Sequence, residues 1–254
     1  MLFYQGVRSL LVTAVVAAFV GGCSSNSGHQ GAAVSPATAG STKSSVKGLT
    51  AAQLVAALPR RGDMPGYKVE TSPQLKPDNK PDPSVRPTAC RPLMNAHGGV
   101  FPDAEDSAWV KVTPKIPAPP DERITFSSFR PHTATAYMTT LGQALDACHS
   151  LSRTTYFGKR IRLAVQRVPS PAVGDAAVSF RTLWFQVDDS DGSKIEWSSL
   201  VTTVREGDAT ATVATTSYFA LRLPAAKKKE FTPEPDKQLL AREIEALHKA
   251  QHST

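Results

Sequence analysis

Cysteine is scarce in this sequence, and so are aromatic residues, long apolar runs and blocks of like charge. Three Cys among 254 residues exclude a dense disulfide scaffold, and 20% charged residues exclude the composition of a coiled coil. No stretch is apolar for long enough to read as a bilayer span. The longest candidate, the eleven residues Leu10–Val20, would rise about 17 Å as a helix against a hydrocarbon core of about 30 Å. Catalytic signatures are missing too: there is no Gly-x-Ser-x-Gly, no His-Glu-x-x-His and no phosphate-binding glycine loop. What is present is 41% hydrophobic residues, enough to fill a core, with 20 Pro and 16 Gly that call for long irregular segments.

The N-terminus reads as a secretion signal. Arg8 precedes the uncharged run Leu10–Val20, which Gly21 and Gly22 close. The next residue sharpens this, because Val20-Gly21-Gly22-Cys23 resembles a bacterial lipobox: an aliphatic residue, two small residues and a Cys. The resemblance implies removal of residues 1–22 and diacylglyceryl transfer to Cys23. From Ser24 to Gly48 the chain is mostly Ser, Gly, Ala and Thr without apolar periodicity. About 25 residues of such coil span roughly 25–30 Å, so residues 23–48 are read as a lipidated Cys followed by a flexible tether. The remaining residues 49–254 are read as a single exported domain.

Removing residues 1–22 takes away one cation, Arg8, and leaves 28 Lys and Arg against 22 Asp and Glu. The cations are scattered, without basic-aromatic interleaving, so no nucleic-acid partner is expected. A mild attraction to anionic headgroups or wall polymers fits the charge better. Lys227-Lys228-Lys229 is read as a solvated loop.

Within the domain, Thr50-Ala51-Ala52-Gln53 has capping-box form and opens a helix whose stripe is Leu54, Val55 and Leu58. A strand follows at Tyr67–Thr71. The six prolines from Pro73 to Pro92 are read as a surface loop, excluded from helix and central strand. Trp109–Ile116 and Arg123–Phe129 read as paired strands around Pro117, Pro119 and Pro120, with Asp103, Glu105 and Asp106 solvated at the entry. Thr133–Ser150 reads as a helix burying Tyr137, Leu141, Leu145 and Cys148. Strands are expected at Arg160–Val168, Ala176–Asp188, Lys194–Arg205 and Ala209–Leu221. The last three are joined by a type I′ turn at Asp191-Gly192 and a type II′ turn at Gly207-Asp208. A closing amphipathic helix covers Asp236–Gln251. This order predicts an α+β fold, an antiparallel β-sheet of about six to seven strands with helices packed on one face.

After export two thiols remain, Cys90 and Cys148, and an oxidising compartment favours one disulfide between them. A metal site fails on ligand count, and a reactive thiol-imidazole pair of Cys148 with His149 is the less favoured alternative to the disulfide, since adjacent helix residues point about 100° apart. No cofactor is expected. The two turns fix a register that puts Trp184, Trp197, Val201, Thr210, Thr212 and Tyr218 on one face, opposite a core set of Leu183, Phe185, Leu200, Val204, Val213 and Phe219. The first face, with Trp184, Trp197 and Tyr218 as its aromatics, suits either cross-strand packing or the floor of a ligand groove. His97, His132 and His149 are isolated and are read as surface or packing residues.

Several short motifs occur in order: Leu58-Pro59, Pro65-Gly66-Tyr67, Cys90-Arg91-Pro92-Leu93, a helix ending at Cys148, Val173-Gly174-Asp175-Ala176-Ala177 and Val204-Arg205-Glu206-Gly207. With the lipobox and tether, this pattern resembles the cell-envelope lipoproteins of actinobacteria. From about residue 49 onward it is similar to the extracellular sensor domain of mycobacterial receptor Ser/Thr kinases and to sensor-domain lipoproteins. The resemblance implies an antiparallel sheet flanked by helices around a cleft, with a binding role and no established chemistry. The reading is therefore a lipoprotein anchored at the extracytoplasmic face of the membrane, with an envelope lipid, glycan or protein as partner. The alternatives are a wall or lipid hydrolase with a His, Ser and acid gathered in a deep pocket, and a structural surface protein.

Overall fold

The computed structural model describes residues 48–75, 80–116, 120–155, 158–187, 192–220 and 223–253. The signal segment, Cys23 and the tether up to residue 47 lie outside these residues. So do Asp191 of the expected Asp191-Gly192 turn and Pro117 and Pro119.

Thr50 makes the expected capping box with Gln53, each side chain accepting from the other residue's backbone N–H, and starts helix α1 (Ala51–Ala57). Strands β1 (Tyr67–Val69) and β2 (Gln74–Leu75) follow, then helix α2 (Arg91–Gly98) and the hairpin of β3 (Ala104–Pro114) and β4 (Asp121–Phe129). Helix α3 (Thr133–Ala147) leads into β5 (Ser150–Thr154), β6 (Arg160–Val168), β7 (Ala176–Val187), β8 (Lys194–Glu206) and β9 (Ala209–Ala220). Helices α4 (Ala225–Phe231) and α5 (Lys237–His252) end the described chain.

All the strands join one antiparallel sheet in the order β1-β3-β4-β9-β8-β7-β6-β5, with β2 also on β3. The sheet has nine strands, more than the six to seven expected, because two-residue β2 and polar β5 carry too little alternation to register as strands. The β8–β9 turn has its positive φ at Gly207 (56°) and not at Asp208, as a type II′ turn requires.

The helices flank both faces of the sheet, which corrects the expectation of one. On one side Leu93, Met94 and Ala96 of α2 and Tyr137, Leu141 and Leu145 of α3 pack with Phe129, Phe180, Val201 and Ala214. On the other, Leu54 of α1 and Leu240, Ile244 and Leu247 of α5 pack with Val110, Ile124, Phe126, Val204 and Val213. A sheet covered twice must also bury its polar side chains, and this one pairs them across strands. The directly opposed hydroxyls Ser107 and Ser127, Ser179 and Thr202, and Thr203 and Thr212 bond at 2.9–3.0 Å.

Three further expectations need correction. Phe185, assigned to the core, is 57% exposed, because it lies at the far end of β7 beyond the covering helices. Lys227-Lys228-Lys229 is not loop but α4, where Lys228 bonds Glu196 at 2.8 Å and Lys227 pairs with Glu230 at 3.2 Å. The segment Pro73–Pro92 is not loop throughout: its last residues turn into α2, with Pro92 in the first helical turn, where a missing N–H costs nothing.

Candidate ligand-binding cleft

The sheet face beneath α2 carries an aromatic row. The pairing places Trp184 of β7 opposite Trp197 of β8, and Trp197 opposite Tyr218 of β9. Trp184 and Trp197 stack with ring centres 5.6 Å apart and planes 9° apart, and Tyr218 leans on Trp197 at 4.8 Å. At the other end of the row, His97 from the last turn of α2 meets Trp184 edge-on at 6.2 Å. A helix end thus closes one end of a cross-strand stack.

Next to this stack is a cleft of about 430 Å³. Met94 and His97 of α2 form one wall, and Trp184, Gln186 and Trp197 of β7 and β8 form the floor. Ile161 and Leu163 of β6, with Arg153, Thr155 and Lys159 of the β5–β6 hairpin, complete the lining. The cleft-face assignments of Trp184 and Trp197 therefore meet in one hollow. Tyr218 does not line it: it is 63% exposed, on the outer side of Trp197. Val201, Thr210 and Thr212 of the same face are buried.

The lining is mostly apolar, yet four of its polar atoms lack partners. His97 Nε2, Arg153 Nε, Thr155 Oγ1 and Trp197 Nε1 are shut off from solvent and meet no hydrogen-bond partner among the described residues. Orphaned buried donors and acceptors are costly in folded proteins, and these four, of fifteen among the described residues, border one hollow that a ligand could fill. Burial pushes the His97 imidazole down to about 3, and the charges of Arg123 and Arg153 push the same way, so the ring is neutral at physiological pH. The Arg123 guanidinium donates to the His97 carbonyl and is lowered by its own burial. His97 also borders a second hollow of about 290 Å³, lined by Trp109, Lys111, Asp121, Glu122, Arg123, Ala214 and Thr216.

An imidazole held near 3 is a poor general base at neutral pH. Among the described residues that line the first cleft there is no Ser and no carboxylate. His132 and His149 are exposed and do not line it. Among the described residues no cluster of His, Cys, Asp and Glu could hold a metal ion, and no helix is long and apolar enough to cross a membrane.

The structure places Cys90 and Cys148 as a disulfide, Cα–Cα 5.8 Å, between the start of α2 and the end of α3. Sequence reasoning missed His97 and Arg153 as cleft residues because α2 and β5, which present them, were not foreseen. The one available signal was Pro92 followed by Leu93, Met94 and Ala96, a proline at a helix start before a short apolar face.

The class these features define is a helix-flanked antiparallel sheet with a lined cleft on one face. Neither protein-family models nor curated proteins give a match to the chain. Among solved structures, it is similar in fold to the extracellular domain of PknH from Mycobacterium tuberculosis, with a TM-score of 0.51 at 11% identity over 80% of this chain and 98% of that one. A second, looser match is a putative uncharacterized protein (Rv0999 ortholog) from Mycobacterium smegmatis, with a TM-score of 0.34 at 17% identity over 79% of this chain and 95% of that one.

Proposed function

We propose that this chain is an exported lipoprotein, lipidated on Cys23 and held at the extracytoplasmic face of the cell membrane, whose domain is a ligand-binding, sensor-like module. The observation that carries the binding role is the cleft beside Trp184 and Trp197, with its largely apolar lining and four polar atoms that have no partner among the described residues. The fold likeness to an extracellular domain supports the envelope location, and the signal, lipobox-like segment and tether support the anchor. Binding is favoured over hydrolysis because, among the described residues, the cleft brings no Ser or acid to His97.

Native mass spectrometry of the protein recovered from the membrane fraction tests the whole reading. The expected species begins at Cys23, carries acyl chains, is two protons lighter through Cys90 and Cys148, and holds a small molecule lost on denaturation. A chain that begins elsewhere without lipid overturns the anchor. For the cleft, Trp109→Phe leaves Trp184 and Trp197 as reporters, whose emission is expected to shift when the co-purified molecule is added back. Unchanged emission overturns the cleft as the site.

A further inference from the structure

The chemistry of the lining goes further than the presence of a cleft and rests on the binding role proposed above. Among the described residues that line it, Arg153 and Lys159 are the charged ones, both cationic. Two other partly buried cations sit beside acids: Arg205 reaches Asp175 at 2.9 Å and Lys228 reaches Glu196 at 2.8 Å. The Nε of Arg153 is closed off from solvent with no acceptor among the described residues, as are those of Arg91, Arg123 and Arg181 outside this cleft, of which Arg123 and Arg181 donate to the carbonyls of His97 and Pro233. Trp197 Nε1, an obligate donor, is in the same position. Arg153 is half-buried, and a guanidinium whose Nε is shielded from water without a counter-charge is unfavourable; an anion in the cleft offsets that cost through charge-assisted hydrogen bonds.

The rest of the lining limits what the anion can be attached to. Ile161, Leu163, Met94 and the two indoles present hydrocarbon, and the uncharged polar groups are few. Trp184 and Trp197 already use a face of each ring on one another, which leaves less aromatic surface for a sugar to stack on. A polyhydroxylated glycan would find too few polar partners here, whereas a hydrocarbon chain finds a continuous wall. We infer that the cleft takes a single-chain anionic amphiphile, its apolar chain along Ile161, Leu163, Trp184 and Trp197 and its carboxylate or phosphate head against Arg153.

The test uses the full chain with Cys23→Ser, so that no acyl anchor competes, and with Trp109→Phe, so that Trp184 and Trp197 report. Four probes of equal chain length are titrated below their micellar concentrations: dodecanoate, dodecyl phosphate, dodecanol and dodecyltrimethylammonium. The two anions are expected to bind about tenfold tighter than the alcohol, and the cation not at all. Whichever anion binds tighter distinguishes a fatty-acid source from a phosphate headgroup. Arg153→Gln is expected to bring both anions down to the alcohol's affinity while leaving the alcohol unchanged, which also shows that the variant is folded. Arg153→Lys keeps part of the preference. Equal binding of alcohol and anions, tighter binding of the cation, or an anion preference that survives Arg153→Gln overturns the anionic assignment while leaving the cleft as a binding site. If no probe of any charge shifts the emission, the anionic assignment and the cleft reading both fail.

Discussion

Glu122 and Glu243 are carboxyl groups that the fold has moved largely out of water. Burial raises Glu122 from 4.5 to about 7, helped by the charge of Asp236 and opposed by the hydroxyl of Thr215, and burial raises Glu243 to about 7 against the pull of Arg242. Between about 4.5 and about 7 the folded chain keeps protons that the unfolded chain has released, so their contribution to stability falls as pH rises through that window and is constant above it. His97 works in the opposite sense. Its folded value of about 3 lies below the ordinary 6.5, so the folded chain binds fewer protons there and its contribution grows as pH rises across that range. Wild-type stability is the sum of these opposed slopes, so a difference between variants isolates each one. Denaturant midpoints measured from about pH 4 to about pH 8 are expected to show Glu122→Gln gaining on the wild type as pH rises from about 4.5 to about 7. Parallel curves would mean that Glu122 titrates normally. Neither acid stood out in the sequence, because each lies at an otherwise ordinary strand or helix position and only the second helical layer removes it from water.

Among the elements, α2 has much consequence for the site and little support of its own. It has eight residues, too short to be stable without tertiary contacts, yet it supplies Met94 and His97 to the cleft. Two devices hold it down. At its start, the Cys90–Cys148 bond closes 58 residues of chain, for which the loop-entropy estimate is about 4 kcal/mol. At its end, Gly99 has φ 61°, and a methyl placed on it would lie 2.7 Å from Thr125 Oγ1 of β4. Gly99→Ala is therefore expected to destabilise the protein by about 1–3 kcal/mol, combining left-handed strain with the clash. A Gly142→Ala change in α3, where a methyl meets nothing within 4 Å, is expected to cause no loss. Replacing Cys90 and Cys148 with Ser is expected to remove hydrogen-exchange protection from α2 before that of α5, which packs in the other layer. Equal loss in both helices would show that the bond supports the fold globally rather than α2. Strands β6 to β9 were legible nearly to the residue because their alternation is long and their turns carry Gly. By contrast, α2 was masked by a proline used at its start, β5 by Ser and Arg at alternate places, and α4 by a lysine run that needed Glu196 and Glu230 to read as ordered.

At the scale of the whole molecule, legibility divides by whether a property is local. Which side of the sheet a helix covers is not local, and β9 is buried on both faces for most of its length, so nothing in its own pattern separates one helical layer from two. The same holds for the cleft. The Trp184 and Trp197 floor follows from strand register alone, while its walls come from α2 and the β5–β6 hairpin, distant in sequence. The proposed lipid anchor is the opposite case, since the residues read for it all lie in the first 48 and none lies in the domain. If anchor and domain are independent, a change at Cys23 should alter where the protein is and leave its fold untouched. Each buried CH₂ of an acyl chain contributes about 0.8 kcal/mol, and two chains turn marginal membrane binding into lasting anchorage. Cys23→Ser is therefore expected to move the protein from the membrane fraction to the soluble one, at every salt concentration tried. Its circular dichroism, its Cys90–Cys148 bond and its emission from Trp184 and Trp197 should match the wild type. If Cys23→Ser protein stays on the membrane and leaves only in high salt, the scattered excess of cations holds it there through headgroup attraction, and the lipid anchor is refuted.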